Sequence, residues 1–159
     1  MRHESFAALI LTHGRSDRVY TYDKLRERGY TGRICLVIDD LDATRDQYVE
    51  RYGDEVVVFD KRVARKATDS GDNFATLGSV VYARNVAHDI ARSLGVDHFV
   101  ELDDDYKQYK FRFDAAYNYK PKQLYCLDTV FDALVDFLEA TQADVVSIAQ
   151  GGDFIGGSQ

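Results

Sequence analysis

Four short apolar runs, each stopping abruptly at polar or acidic residues, set the strongest limit on what this chain can fold into. They are Phe6 to Leu11 (FAALIL), Ile34 to Ile38 (ICLVI), Val56 to Phe59 (VVVF) and the stretch through Phe99, Val100 and Leu102. Unbroken apolar runs of this length suit strands covered on both faces. The segments between the first three have helical spacing. Val19, Tyr22 and Leu25 recur at that spacing, with Gly29 closing the helix, and Thr44 is placed to cap a short helix carrying Tyr48, Val49 and Tyr52 that stops at Gly53. Strands alternating with helices of about ten residues predict right-handed crossovers and a parallel sheet. The fold class is therefore α/β: a Rossmann-like, mostly parallel central sheet with flanking helices.

The 159 residues suffice for one domain with a real core. Beyond Phe59 the pattern weakens from Lys61 to Leu77, and Thr68 to Asn73 is turn chemistry. Val80, Ala83, Val86, Ala87, Ile90, Ala91 and Leu94 then form one helical stripe closed by Gly95. Leu127, Phe131, Leu134 and Leu138 make a second amphipathic helix with Asp128 as expected N-cap, and Val145 to Ala149 reads as a last strand before a glycine-rich loop. Ending so soon after that loop suggests a longer parent protein. Cys35 and Cys126 make no disulfide framework, and the first apolar run is too short for a signal segment or a membrane span. A cytoplasmic chain with no membrane partner is expected.

The most chemically loaded strand end is Leu102-Asp103-Asp104-Asp105-Tyr106. Extended backbone alternates, so Asp103 and Asp105 should face one way and Asp104 the other. Such carboxylates suit Mg²⁺ or Mn²⁺, which keep waters and bridge to phosphates; a solvated acidic turn is the plainer alternative. No GxxxxGK[ST] and no GxGxxG is present, EF-hand spacing fails at Lys107 and Gln108, and the histidines lack zinc-motif spacing with the cysteines. What remains is a set of strand ends: His13, Gly14 and Arg15, then Asp39 and Asp40, then Asp103 to Asp105. Parallel strands bring these to one sheet edge, where open α/β sheets bind ligands. An acid after the second strand can hold a ribose or a nucleobase N–H, and Arg15 can meet a diphosphate.

The formal net charge of −7 argues against wholesale coating by nucleic acid, yet residues 106 to 125 hold five cations against one acid and seven of the twenty aromatics. Lys110-Phe111-Arg112-Phe113 alternates like a half-exposed strand, so a hairpin or flap is expected. It either buries one aromatic face or contacts an acceptor, with Tyr106, Lys107, Lys110 and Arg112 meeting bases and phosphates.

The order of these elements, with Tyr82-Ala83-Arg84-Asn85 preceding the Asp-x-Asp, resembles the nucleotide-sugar half of a GT-A glycosyltransferase. More narrowly, residues 10 to 15 (ILTHGR), Gly71-Asp72-Asn73-Phe74, Tyr82 to Asn85, Leu102 to Tyr106 and residues 150 to 157 (QGGDFIGG) resemble the bacteriophage TET-associated glycosyltransferases, with a related domain in the animal GREB family. Those enzymes are held to attach sugars to hydroxymethylated pyrimidines in DNA. The resemblance implies that Asp103 and Asp105 bind the metal and diphosphate, and that Thr12, Arg15, Asp39, Asn73 and Arg84 line the nucleotide pocket. Joined to the strand-end reading, the donor-nucleotide set becomes Thr12, His13, Gly14, Arg15, Asp39, Asp40, Asn73, Arg84, Asp103 and Asp104. It further implies that relatives continue past the position of Gln159, with acceptor, metal and base residues beyond it. Within this chain Asp153 is the candidate base. The expected function is a Mn²⁺- or Mg²⁺-dependent transfer from a UDP-sugar to a hydroxyl, on modified DNA. The competing classes are a nucleotidyltransferase and a non-catalytic nucleotide-sugar-binding module.

Overall fold

A computed structural model describes residues 1–69, 77–78 and 80–148. Strands β1 (Phe6–Leu11), β2 (Arg33–Asp39), β3 (Val56–Phe59) and β4 (His98–Asp103) form one parallel sheet in the order β3-β2-β1-β4. β1 and β2 are its inner strands, which is why FAALIL and ICLVI run apolar without alternation: every residue of β1, and of β2 after Arg33, is buried.

The helices fall on both faces. Alternate strand residues Ala8, Ile10, Ile34, Leu36 and Ile38 pack under α1 (Tyr20–Glu27), α2 (Arg45–Tyr52) and α5 (Leu127–Thr141), through Leu25, Tyr48, Leu127, Phe131 and Val135. Ala7, Leu9, Leu11, Cys35 and Val37 pack under α3 (Lys61–Ala67) and α4 (Val81–Ser93), through Ala64, Tyr82, Ala87 and Ile90. Each fully buried Leu or Ile contributes about 1.5–3 kcal/mol of transfer free energy. The result is the Rossmann-like layout of a GT-A domain, as expected. No helix among the described residues is long and apolar enough to cross a membrane.

Strand order decides where the site lies. The chain moves outward from β1 to β2 to β3, then returns across α3 and α4 to place β4 on the other side of β1. The loops leaving β1 and β4 meet at the strands' carboxyl ends, the Thr21 amide donating to the Asp104 carbonyl at 3.2 Å, and that edge is where open α/β sheets bind ligands.

Several local expectations change. Lys61 to Ala67, where the sequence pattern is weak, is α3: Asp60 caps it by accepting from the Val63 amide at 2.8 Å. Asp128 is not the N-cap of α5, which begins after Cys126. The amides of Leu127 and Asp128 are met by the carbonyls of Arg28 and Gly29, and the Asp128 carboxylate instead binds Thr31 and the Met1 amino group. Thr44 flanks α2 without capping it, since its hydroxyl donates to Asp42. Val145 to Ile148 pair with no strand among the described residues, and Ala149 lies outside them. The expected hairpin is present as β5 (Lys110–Phe113) and β6 (Tyr119–Gln123), an antiparallel pair separate from the central sheet. Pro121 is tolerated in β6 because a two-stranded sheet leaves one side of each strand unpaired.

Candidate functional site

At the carboxyl edge a cavity of about 410 Å³ is lined by Thr12, His13, Arg15, Asp39, Lys61, Arg84 and all three of Asp103, Asp104 and Asp105, with apolar walls from Leu11, Phe59, Val80 and Ala83. Of the expected donor residues that are described, only Gly14 and Asp40 lie outside this lining. Asn73 and the candidate base Asp153 lie outside the described residues.

The three aspartates do not share one role. β4 ends at Asp103, and Asp104 and Asp105 lie in the turn that follows. Asp104 is 5% exposed and directed inward. One of its oxygens accepts from the Thr12 hydroxyl at 2.7 Å and the other from an Arg15 Nη at 2.9 Å. The chain extends further: the Tyr48 hydroxyl lies 2.7 Å from Thr12 Oγ1 and accepts from the Arg15 amide at 2.9 Å. Since Thr12 donates to Asp104, Tyr48 donates to Thr12. Asp104 thus shapes the loop after β1, and burial raises the Tyr48 hydroxyl above its ordinary pKa.

Asp103 is half-exposed and takes an Arg84 Nη at 2.7 Å, while the other Nη reaches Glu101 at 3.3 Å. Burial holds the Glu101 carboxyl above its usual range, with Arg84 opposing. Arg84 reaches both acids because α4 packs across β4. Its neighbour Asn85 bonds back to the Val81 carbonyl and faces solvent. Asp105 is exposed at the cavity rim.

On the β2 side Asp39 is buried, and its oxygens are well occupied. Oδ2 accepts from Lys61 Nζ at 2.9 Å and from His13 Nδ1 at 2.8 Å, and Oδ1 accepts from the Leu41 amide at 3.1 Å. Facing a carboxylate, His13 Nδ1 is the donor, which in the neutral tautomer leaves Nε2 as the acceptor. Asp40 turns to the start of α3, accepting from the Lys61 amide at 2.8 Å. Gly14 has φ +66° and gives its amide to Asp42 at 2.8 Å. Burial would raise Asp42, but bonds from Gly14 and from the Thr44 hydroxyl and amide outweigh it and hold the carboxyl below its usual value.

Lys61, Asp42, Tyr48 and Glu101 were not singled out from sequence. Only Lys61 carried a signal, since it lies two places past the end of the third apolar run, near the sheet edge that Asp39 marks after the second. Among the acceptor candidates, Tyr106 packs at the core's edge beside Tyr109, with ring centroids 6.3 Å apart. Burial, with the nearby Asp103 charge, raises the Tyr106 hydroxyl. Lys107 and Lys110 are exposed, and Arg112 is half-buried.

Among the described residues no group of three or more His, Cys, Asp or Glu side chains is arranged as a complete metal site. Asp103 and Asp105 offer hard oxygen ligands at one cavity wall, a set that fits a cation completing its shell with waters and ligand phosphates. A family model described as TET-Associated Glycosyltransferase matches residues 6–159. No curated protein and no solved structure matches the chain.

Proposed function

The chain belongs to the TET-associated glycosyltransferase family, and we propose from this that the cavity at the sheet edge binds a UDP-sugar with Mn²⁺ or Mg²⁺ for transfer to a hydroxyl on hydroxymethylated pyrimidines of DNA. The observation that carries the reading is the convergence of Arg15, Arg84, Asp103 and Asp105 on one cavity at the topological switch point. Cations for a diphosphate and acids for a metal are both required there, and both line it.

Asp103 and Asp105 would hold the metal, which when bound neutralises the departing diphosphate. Arg84 keeps Asp103 oriented and presents its remaining N–H groups to phosphate oxygens. Arg15, anchored on Asp104, does the same from the opposite wall. His13 and Lys61, both fixed by Asp39, offer an acceptor and donors to the nucleoside; Asp39 itself acts mainly by positioning them. In the transfer the acceptor oxygen bonds to the anomeric carbon as the bond from that carbon to the diphosphate oxygen breaks. The nucleoside diphosphate departs and the hydroxyl proton passes to a base.

Calorimetric titration with UDP and UDP-sugars, with and without Mn²⁺, tests this. Binding is expected to be metal-dependent and lost when Asp103→Ala and Asp105→Ala are combined. Metal-independent binding, or binding unchanged in that double variant, would refute the reading. A nucleotidyltransferase would instead release pyrophosphate from a nucleoside triphosphate.

A further inference from the structure

A second cavity of about 180 Å³ is lined by Arg15, Arg18, Tyr20 and Asp105. Arg15 and Asp105 also line the larger cavity, so the two spaces share a wall. Lys107 Nζ lies 4.9 Å from the centroid of the Tyr20 ring and brings a third cation to the rim. Arg18 is mostly exposed, and its ion pair with the adjacent Asp17 is a loose one at 3.5 Å. A surface pair of that kind contributes almost nothing and gives way readily to a phosphate. The donor's own diphosphate is already served by Arg84 and Arg15 in the larger cavity. A second anion seat on the far side of Asp105 therefore belongs to something else.

Lys107 leads directly into the hairpin. In the hairpin Phe111 pairs with Lys122 and Phe113 with Tyr119, with a shift of register between the two pairs. Phe113 and Tyr119 meet edge to face at 5.9 Å. Phe111, Phe113 and Tyr119 nevertheless stay 46–49% exposed, and Tyr117 at the turn is 88% exposed. The hairpin was expected either to bury an aromatic face or to contact an acceptor, and its rings are about half-exposed. Exposed rings set among lysines complement a ligand with flat π-faces and a regular negative charge. A duplex would offer this surface its phosphates alone, because its bases are stacked on one another.

We propose that the acceptor is bound as an unpaired strand. Its bases stack on Phe111, Phe113 and Tyr119, and a backbone phosphate sits in the crevice of Arg18, Lys107 and Tyr20, beside Asp105 and the donor cavity. The inference rests on the reading of DNA as acceptor and adds the form in which that DNA is held.

Fluorescence anisotropy with a labelled 20-nucleotide single strand, its duplex, and unlabelled polyphosphate as competitor tests it across a salt series. The single strand is expected to bind at least about tenfold more tightly than the duplex, the equivalent of one stacked base. Phe111→Ser combined with Phe113→Ser should abolish that preference and leave the salt slope unchanged. Arg18→Ser combined with Lys107→Ser should keep the preference and flatten the slope by about 0.7 per cation removed. Circular dichroism and thermal unfolding verify that these surface variants fold. Equal affinity for strand and duplex, or serine variants that retain the preference, overturns the proposal while leaving DNA as acceptor. Polyphosphate competing as well as the unlabelled strand overturns it by reducing the surface to charge alone. Binding of neither DNA form overturns both this proposal and the DNA reading; UDP titration of the same protein reports on the donor site separately.

Discussion

Replacing Asp104 with alanine removes the inner end of a chain of four groups. The Arg15 amide donates to Tyr48, Tyr48 to Thr12, and Thr12 to Asp104, over distances of 2.9, 2.7 and 2.7 Å. The Thr12 bond is buried and ends on a charge, so its loss costs about 1.5–3 kcal/mol. The Arg15 side chain is 50% exposed, which discounts its pair with Asp104 to about 0–1 kcal/mol. The sum is about 1.5–4 kcal/mol. At roughly 2–4 °C per kcal/mol for a chain of this size, Tm should fall by roughly 3–16 °C. The flanking aspartates should behave differently. Asp103 and Arg84 are 43% and 41% exposed, so Asp103→Ala should cost no more than about 1 kcal/mol. Asp105→Ala, at an exposed position, should stay within about 0.5 kcal/mol. Urea denaturation followed by circular dichroism, without nucleotide or metal, measures the three in parallel. If Asp104→Ala lies within about 0.5 kcal/mol of the parent, or if Asp103→Ala costs more than Asp104→Ala, the division of the triplet into one structural and two ligand-facing acids is wrong.

Asp39→Asn leaves the buried Lys61 ammonium without its charged partner 2.9 Å away and should cost about 3–5 kcal/mol; adding Lys61→Met should recover much of this, and a double variant no better than the single would refute the pair's role. Because the Asp42 carboxyl is held below its usual value in the fold, the unfolded chain takes up the proton first, so its contribution is full above about pH 4 and is lost as pH falls through the depressed value. The stability gap between the parent and Asp42→Asn should shrink across that acid window, and a constant gap would contradict the assignment. Gly29→Ala meets both a φ of +83° and the Tyr125 carbonyl oxygen 2.7 Å from the new Cβ, so it should cost at least about 1 kcal/mol more than Gly53→Ala, which has φ +56° and open space. Equal costs in denaturation would show that the backbone there yields.

What could be read from the chain was whatever periodicity exposes. β1 and β2 are legible because inner strands need side chains that are apolar on both faces, and α4 because thirteen residues display a full stripe. α3, at seven residues, is too short to do so, and its cap at Asp60 was read only as a strand end. Alternation already set Asp104 apart from Asp103 and Asp105, but its partners Thr12 and Arg15 lie some ninety positions away and carry no local signal. Lys61, Tyr48 and Glu101 join the site through contacts across strands and helices, and no local pattern marks a side chain whose partner lies 17 to 36 positions away.

The same contacts alter why a metal would bind at all. From the sequence, three adjacent carboxylates call for a cation to relieve their repulsion. In the fold that relief is largely internal: Arg15 serves Asp104, Arg84 serves Asp103, and Lys61 with His13 serves Asp39 on the next strand. The domain is therefore electrostatically assembled before any ligand arrives, and a metal is not required to hold the edge together. Asp105 and a shared Asp103 make a thin ligand set by themselves. A diphosphate would improve it twice, by supplying oxygens to a metal and by competing with Asp103 for the Arg84 guanidinium, which would free the carboxylate. Metal and nucleotide should consequently strengthen each other's binding by the same factor, as linkage requires. Coupling of this kind would keep the acid edge stable when empty and reserve its full cation affinity for the moment a donor is present.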